Sequence, residues 1–490
     1  MLRKIRIVLA TVFLVGLTLL FLDFTGTAHA WLGWMAKVQA LEAVLALNVV
    51  VVAVLVVLTL VFGRIYCSVV CPLGILQDVF GWLGKKAKKN RYSYSSEMKW
   101  LRYAVLVVFV VALIAGVGVV FQLLAPYSAF GRIVTMLLQP LWMLGNNVLA
   151  AWAEHVDSYA FYTVDVWMKS LPVLVISAVT LVVLAVLAWR GGRTYCNTVC
   201  PVGTVLSFMA RFSWLKIHFD ADKCRNCSLC SKNCKASCID YKNHKVDYSR
   251  CVVCGDCLKS CKFGALKYDC LRSHQKTVEP SADASKRSFL LASALATTAV
   301  LAQEKENVDG GLAEIEDKVA PKRQTSLTPP GSLAHRHFAR HCTGCQLCVS
   351  ECPNHVLRPS TDLMHIMLPE MSYERGYCRP ECTRCSEVCP AGAFRLIDRV
   401  EKSSIQIGHA VWIKKNCVAV TDGVECGNCA RHCPVGAIEM VPLNEDDDES
   451  PWVPAVNESR CIGCGACEYV CPSRPFSAIY VEGHEVHKNI

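Results

Sequence analysis

The sequence predicts a membrane α-helical domain of four transmembrane helices, with a fifth crossing left open further on, followed by two small α+β domains organised around cysteine. Three observations carry this. Apolar residues are concentrated in the first 190 positions, cysteine occurs 30 times in 490 residues, and most of those cysteines follow the apolar part in a repeating spacing. Four runs are close to the roughly 20 apolar residues that span a hydrocarbon core: 5–22, 41–62, 101–124 and 172–189. Arg3, Lys4 and Arg6 place the start of the first run on the cytoplasmic side, and the three later runs argue against its cleavage. The loop between runs two and three holds a basic cluster from Lys85 to Arg91, whereas 125–171 has only Arg132 and Lys169, as the positive-inside rule requires. With Trp142, Trp152 and Trp167, that second loop reads as an interfacial segment on the outer face. The net charge of +10 gathers beside apolar segments, so it reads as membrane topology and not as a nucleic-acid surface.

The membrane part repeats itself. Gly63-Arg64-Ile65-Tyr66-Cys67 continues to Cys71-Pro72-Leu73-Gly74, and Gly192-Arg193-Thr194-Tyr195-Cys196 continues to Cys200-Pro201-Val202-Gly203. Each copy follows an inward-running span, so Cys67, Cys71, Cys196 and Cys200 are expected at the cytoplasmic membrane surface. They gather into one further metal or cluster site if the halves pack about a pseudo-twofold axis; otherwise they are free or redox-active thiols. Arg64 and Arg193 read first as topology anchors.

The remaining thiols carry the chemistry. Cys224, Cys227, Cys230, Cys234 and Cys251, Cys254, Cys257, Cys261 each follow the C-x2-C-x2-C-x3-C run that binds a [4Fe–4S] cube, three thiolates to one cluster and the fourth to its neighbour. This assigns Cys261 to the first triad and Cys234 to the second. Lys235 and Lys262 stand where a proline is usual. Four more quartets follow: Cys342, Cys345, Cys348, Cys352; Cys378, Cys382, Cys385, Cys389; Cys417, Cys426, Cys429, Cys433; and Cys461, Cys464, Cys467, Cys471. Each of these four ends in Cys-Pro, and the first spacer widens to three residues after Cys378 and to eight after Cys417. Paired Cys-x2-Cys elements also suit zinc, but a third cysteine at the same spacing, repeated six times, favours iron–sulfur cubes. Long-chain disulfide scaffolding is disfavoured because such frameworks belong to short secreted domains. Six [4Fe–4S] clusters use 24 cysteines, and Cys238 and Cys270 are left as structural or spare.

The domains expected are therefore 1–215 in the membrane, 216–272 with two clusters, a linker 273–333, and 334–490 with four clusters, the last two cysteine domains being ferredoxin-like. Within the linker, Lys286-Arg287-Ser288-Phe289-Leu290 opens an apolar run to Ala302 that resembles a twin-arginine export signal and is the candidate fifth crossing. Residues 303–332, charged and containing Pro321, Pro329 and Pro330, read as a flexible tether. His29, Glu42, Glu154, His155 and Asp157 lie near the predicted outer face as candidate proton acceptors, and 445–449 is an acidic solvated loop. The sequence has no Cys-x2-Cys-His haem site, no Gly-x-Gly-x2-Gly loop and no Walker A motif, so it reads as an electron-transfer component and not as a stand-alone enzyme.

Four spans, two Cys-x3-Cys-Pro endings and an adjoining two-cluster module resemble the NapH family over about residues 1 to 270. The twin-arginine-like segment and four quartets resemble the NapG family. The resemblance implies quinol as electron donor, a lipid membrane and quinone pool as surroundings, and a c-type cytochrome or nitrate-type reductase as partner. It also implies the bacterial inner membrane, with the C-terminal domain periplasmic, and pairing of the first C-terminal quartet with the fourth and the second with the third. The runner-up class is the CcoG or RdxA type, metal reductases that serve metalloenzyme maturation, which need no four-cluster appendage.

Overall fold

The computed structural model describes residues 2–87, 92–158, 160–270, 318–444 and 450–490. The twin-arginine-like run 286–302, the acidic run 445–449 and the distal part of the basic cluster lie outside the described residues.

The first apolar run forms α1 (Leu2–Leu22) and is followed by α2 (Thr27–Lys37), α3 (Ala40–Leu45), α4 (Val49–Phe62), α5 (Tyr66–Val69) and α6 (Pro72–Lys86). Then come α7 (Lys99–Ala115), α8 (Gly118–Leu124), α9 (Pro126–Ile133), a π turn (Val134–Leu138), α10 (Gln139–His155), α11 (Leu171–Gly191), α12 (Thr194–Thr198) and α13 (Pro201–Ala210). At 1.5 Å per residue α1 and α11, each 21 residues, reach about 31 Å, the thickness of a hydrocarbon core.

Among the described residues three helical stretches are long and apolar enough to cross a membrane, and one of them corrects the expected set. The expected span 41–62 is broken: Leu47 adopts positive φ and the Asn48 side chain caps α4 by accepting from the Val51 amide, leaving 14 residues. The expected span 101–124 breaks at Gly116, whose left-handed backbone ends α7 after 17 residues. Conversely, 126–155, read from sequence as an interfacial loop, is one 30-residue helical stretch. Pro140 has no amide to offer the Met136 carbonyl, and the chain widens into the π turn there without stopping. At Gly84 α6 lies so close to α11 that a Cβ would collide with the Trp189 carbonyl.

The two cysteine domains pack at opposite ends of α1. Near its start, Arg3 Nε donates to Asp256 of the two-cluster module at 2.6 Å. Near its end, Phe21 packs against Gly131, which itself abuts the Cys345 carbonyl, and Arg384 reaches the Gly26 carbonyl at 3.4 Å. The two-cluster module is built on β1 (Leu215–Phe219), paired antiparallel with β4 (Leu266–Cys270), and the short hairpin β2 (Ile239–Asp240) and β3 (Lys245–Val246). The four-cluster domain uses β5 (Leu357–Pro359) with β6 (Pro369–Met371), β7 (Ile405–Trp412) with β10 (Ile479–Asn489), and β8 (Ile438–Pro442) with β9 (Trp452–Val456), all antiparallel. The end of the expected tether belongs to this domain. The Gln324 and Thr325 amides donate to the Glu482 carboxylate, and Leu327, Thr328 and Ser332 are buried, so the backbone polar groups are satisfied by the domain and not by water.

Candidate iron–sulfur centres

Short helices place the thiols. In each quartet the third cysteine sits on one short helical turn and the fourth follows that turn, the chain becoming extended at Cys261, Cys389 and Cys471. The fourth thiolate therefore points away from its own triad. Cys224, Cys227 and Cys230 line a cavity with Cys261. Cys251, Cys254 and Cys257 lie within electrostatic reach of Cys234. Both exchanges match the sequence expectation.

In the C-terminal domain the pairing differs from the one the NapG resemblance implies. Cys342, Cys345 and Cys348 gather with Cys389, and Cys378, Cys382 and Cys385 share a cavity with Cys352. Cys461, Cys464 and Cys467 line a cavity with Cys433, while Cys429 neighbours Cys417, Cys426 and Cys471. The first quartet thus exchanges with the second and the third with the fourth. The reason is local: the exchanging quartets are joined by the β5–β6 hairpin in one case and the β8–β9 hairpin in the other, which bring consecutive motifs face to face.

The cavities at Cys224, Cys461 and Cys378 are alike and small, about 20, 10 and 30 Å³. The thiols line these spaces and do not meet at a point; among the described residues no three Cys, His, Asp or Glu side chains converge on a single-ion site. Backbone amides are aimed at the sulfurs: Ala265 N to Cys261 Sγ at 3.3 Å, Ala437 N to Cys433 Sγ at 3.2 Å, and Ala478 N to Cys471 Sγ at 3.3 Å. Burial pushes the thiols of Cys254, Cys345 and Cys464 up to about 12, so thiolates form there when bound positive metal supplies the compensating charge. A thiol-lined, mainly apolar space with amides aimed at sulfur fits a [4Fe–4S] cube. Lys402 adds a charge, its Nζ lying 3.2 Å from Cys378 Sγ.

The four membrane cysteines also come together. Cys71 and Cys200 each lie within electrostatic reach of the other three. All four are buried. Reciprocal arginines tie the repeat halves: Arg64 Nη2 donates to the Cys196 carbonyl at 3.2 Å, and Arg193 Nη1 donates to the Cys67 carbonyl at 2.5 Å. Both arginines are 0% exposed, which corrects their reading as topology anchors. Gln77 Nε2 lies 3.1 Å from Cys196 Sγ, and Gly203 N lies 3.3 Å from Cys200 Sγ.

Asp78 anchors this frame by accepting from Arg193 Nε at 2.7 Å, Lys235 Nζ at 2.6 Å and Arg6 Nη1 at 3.1 Å. Burial alone would raise its pKa, but the Arg193 and Lys235 cations hold the carboxyl well below the usual range. Gln77 and Asp78 were not singled out from sequence because the repeat places Leu206 and Ser207 at the matching positions. Cys238, left as spare, lies 3.5 Å from Cys234 Sγ and joins the second thiol group, whereas Cys270 ends β4 away from any quartet. Of the candidate proton acceptors, Glu42 is buried beside Tyr66 and Tyr127, His29 is half-buried, and Glu154, His155 and Asp157 are exposed.

Contacts link neighbouring thiol groups. Arg64 Nη1 links the Ser249 carbonyl, beside Cys251, to Asn197, beside Cys196. Tyr127 lies within reach of Tyr66 on the membrane side and of Cys345 and Cys389 on the other. The Cys378 amide donates to the Cys464 carbonyl at 2.9 Å, joining the two halves of the C-terminal domain.

Thiol-lined cavities on small α+β units, carried beside apolar helices, define an iron–sulfur electron-transfer protein of the polyferredoxin class. The family described as "4Fe-4S binding domain" matches residues 44–91 and 170–220, and those described as "4Fe-4S dicluster domain" match 247–356 and 424–474. The ferredoxin-type protein NapG of Escherichia coli (strain K12) is 30% identical over 176 residues, 33% of this chain and 75% of its own length. The methylamine utilization ferredoxin-type protein MauM of Methylobacillus flagellatus is 31% identical over 167 residues, 33% of this chain and 70% of its own. NapF of Escherichia coli (strain K12) is 29% identical over 166 residues, 33% of this chain and 90% of its own. No solved structure matches. The chain belongs to the family of NapG- and MauM-type ferredoxin proteins.

Proposed function

We propose that this chain is a membrane-spanning electron relay, taking electrons from quinol and delivering them through clusters to a reductase or c-type cytochrome on the other side of the bacterial inner membrane. In this reading residues 1–270 act as a NapH-type unit and 334–490 as a NapG-type unit. The observation that carries it is the series of contacts that joins the two-cluster module, the membrane cysteines and the C-terminal quartets, with the cysteine domains at opposite ends of α1. The description of the family matched at both Cys-x3-Cys-Pro segments supports a seventh cluster at Cys67, Cys71, Cys196 and Cys200. When bound, each cluster would accept and pass on one electron. The protein's part is to order the centres and tune them. Arg64 and Arg193 offset thiolate charge in the membrane, Tyr66 and Tyr127 fill the space towards Cys345, and Lys402 favours the reduced state of the centre at Cys378.

The test is anaerobic reduction of the full chain in liposomes by menadiol, followed by the loss of iron–sulfur absorbance, alongside iron analysis. The double substitution Cys67→Ser/Cys200→Ser is expected to remove about four irons and to leave the C-terminal clusters still oxidised in the presence of menadiol, yet reducible by dithionite. Unchanged iron and an unchanged extent of menadiol reduction in that variant would sink the relay through the membrane thiols.

A further inference from the structure

At the membrane end that faces the two-cluster module, a cavity of about 960 Å³ opens between α1, α6 and that module, and no cysteine lines it. Six cations (Arg3, Arg6, Lys85, Lys86, Lys235, Lys259) face it against two carboxylates, Asp78 and Asp256, which leaves four positive charges in excess. Both carboxylates are already committed: Asp78 to Arg6, Arg193 and Lys235, and Asp256 to Arg3 and Lys235. Lys86 and Lys259 form no ion pair among the described residues. Arg6 is a buried cation whose side chain is 10% exposed, and its Nε lacks any hydrogen-bond partner. An unpaired guanidinium nitrogen at that depth is costly unless an acceptor fills the space.

The cavity is amphipathic as well as basic. Ile7, Ala10, Ile75 and Val79 form an apolar wall, and Trp82, 61% exposed with Lys86 Nζ 5.7 Å from its ring, is the kind of residue found at headgroup depth. A neutral quinone headgroup would leave the excess charge uncompensated. A phosphodiester with acyl chains would satisfy Arg6 Nε and the lysines while its chains lie along the wall.

We propose that this cavity seats one anionic phospholipid of the phosphatidylglycerol class, which clamps the two-cluster module onto the membrane domain. The lipid bridges α1 and α6 to Lys259 of the module, so its removal loosens the joint on which transfer into the membrane thiols depends.

Native mass spectrometry of the purified holoprotein, titrated with dioleoylphosphatidylglycerol and separately with dioleoylphosphatidylcholine, tests this. The expected result is one retained phosphatidylglycerol under activation that strips phosphatidylcholine. Retention should weaken at least tenfold in Lys86→Gln/Lys259→Gln, whose iron content should match the unsubstituted protein. Phosphatidylglycerol should also raise the melting midpoint of the unsubstituted protein and not of the variant. Equal retention of phosphatidylcholine, undiminished retention in the variant, or displacement of the lipid by equimolar menadione would each overturn the proposal.

Discussion

The membrane thiol group and the C-terminal quartets solve the same problem by different means. At Cys461, Cys464 and Cys467 three thiols come from seven consecutive residues, and the amide that supports their fourth partner is close to it in sequence, Ala437 to Cys433. At Cys67, Cys71, Cys196 and Cys200 two thiols come from each of two segments 129 residues apart, and the support is long-range: Arg64 to the second half, Arg193 to the first, and Asp78 holding Arg193, Arg6 and Lys235. A centre made by local spacing tolerates loss of a distant contact; a centre made by two halves depends on what joins them.

The largest expected effect breaks that difference open. Asp78→Asn removes the charge that pairs three buried cations, and is expected to cost about 3–5 kcal/mol. The melting midpoint should fall, and iron should be lost from the membrane thiols while the centre at Cys417, Cys426, Cys429 and Cys471 keeps its signal. Iron analysis and electron paramagnetic resonance check this, and equal loss from both centres would show that they are not independent.

A smaller and local effect is expected in the C-terminal half. Replacing Lys402 by Met removes the cation 3.2 Å from Cys378 Sγ, which should lower that centre's reduction potential by roughly 200 mV, from Coulomb's law at an effective dielectric of about 20. Redox titration should find the other potentials nearly unchanged.

The smallest effect concerns acid. Burial, reinforced by His484 and His335, pushes the pKa of His487 down to about 4, and its ring shares a 3.0 Å hydrogen bond with Thr328. The unfolded chain takes up this proton near pH 6.5 and the folded domain does not, so stability is full above about 6.5 and falls as pH drops towards 4. About 2 kcal/mol should be lost by pH 5. His487→Gln should flatten the dependence of the melting midpoint between pH 6.5 and 5, because glutamine does not titrate there.

Much of the candidate site was legible in the sequence. The C-x2-C-x2-C-x3-C runs predicted which thiols group and that the fourth is exchanged between Cys234 and Cys261, because a two-residue spacer sets a local turn whatever surrounds it. The apolar runs at α1 and α11 were equally plain. The breaks at Asn48 and Gly116 were hidden by apolar neighbours on both sides, and the stretch 126–155 was masked by its Trp, Asn and Pro content. Cys238 was missed because it falls outside the repeating spacing, although it lies only four residues from Cys234.

What the sequence by itself determined is everything that depends on near neighbours: the cysteine triads, the apolar helices, the repeat of Gly-Arg-x-Tyr-Cys, and hence an iron–sulfur protein built beside a membrane. Only the tertiary structure decided which quartets exchange their fourth thiol, that the membrane cysteines converge, and that Arg64, Arg193 and Asp78 are the groups that hold them. The physical reason is the range of the forces involved. Turns and helices are settled by interactions over a few residues, whereas a buried guanidinium finds its carbonyl or carboxylate wherever chain packing excludes water, and nothing in local spacing records that partner.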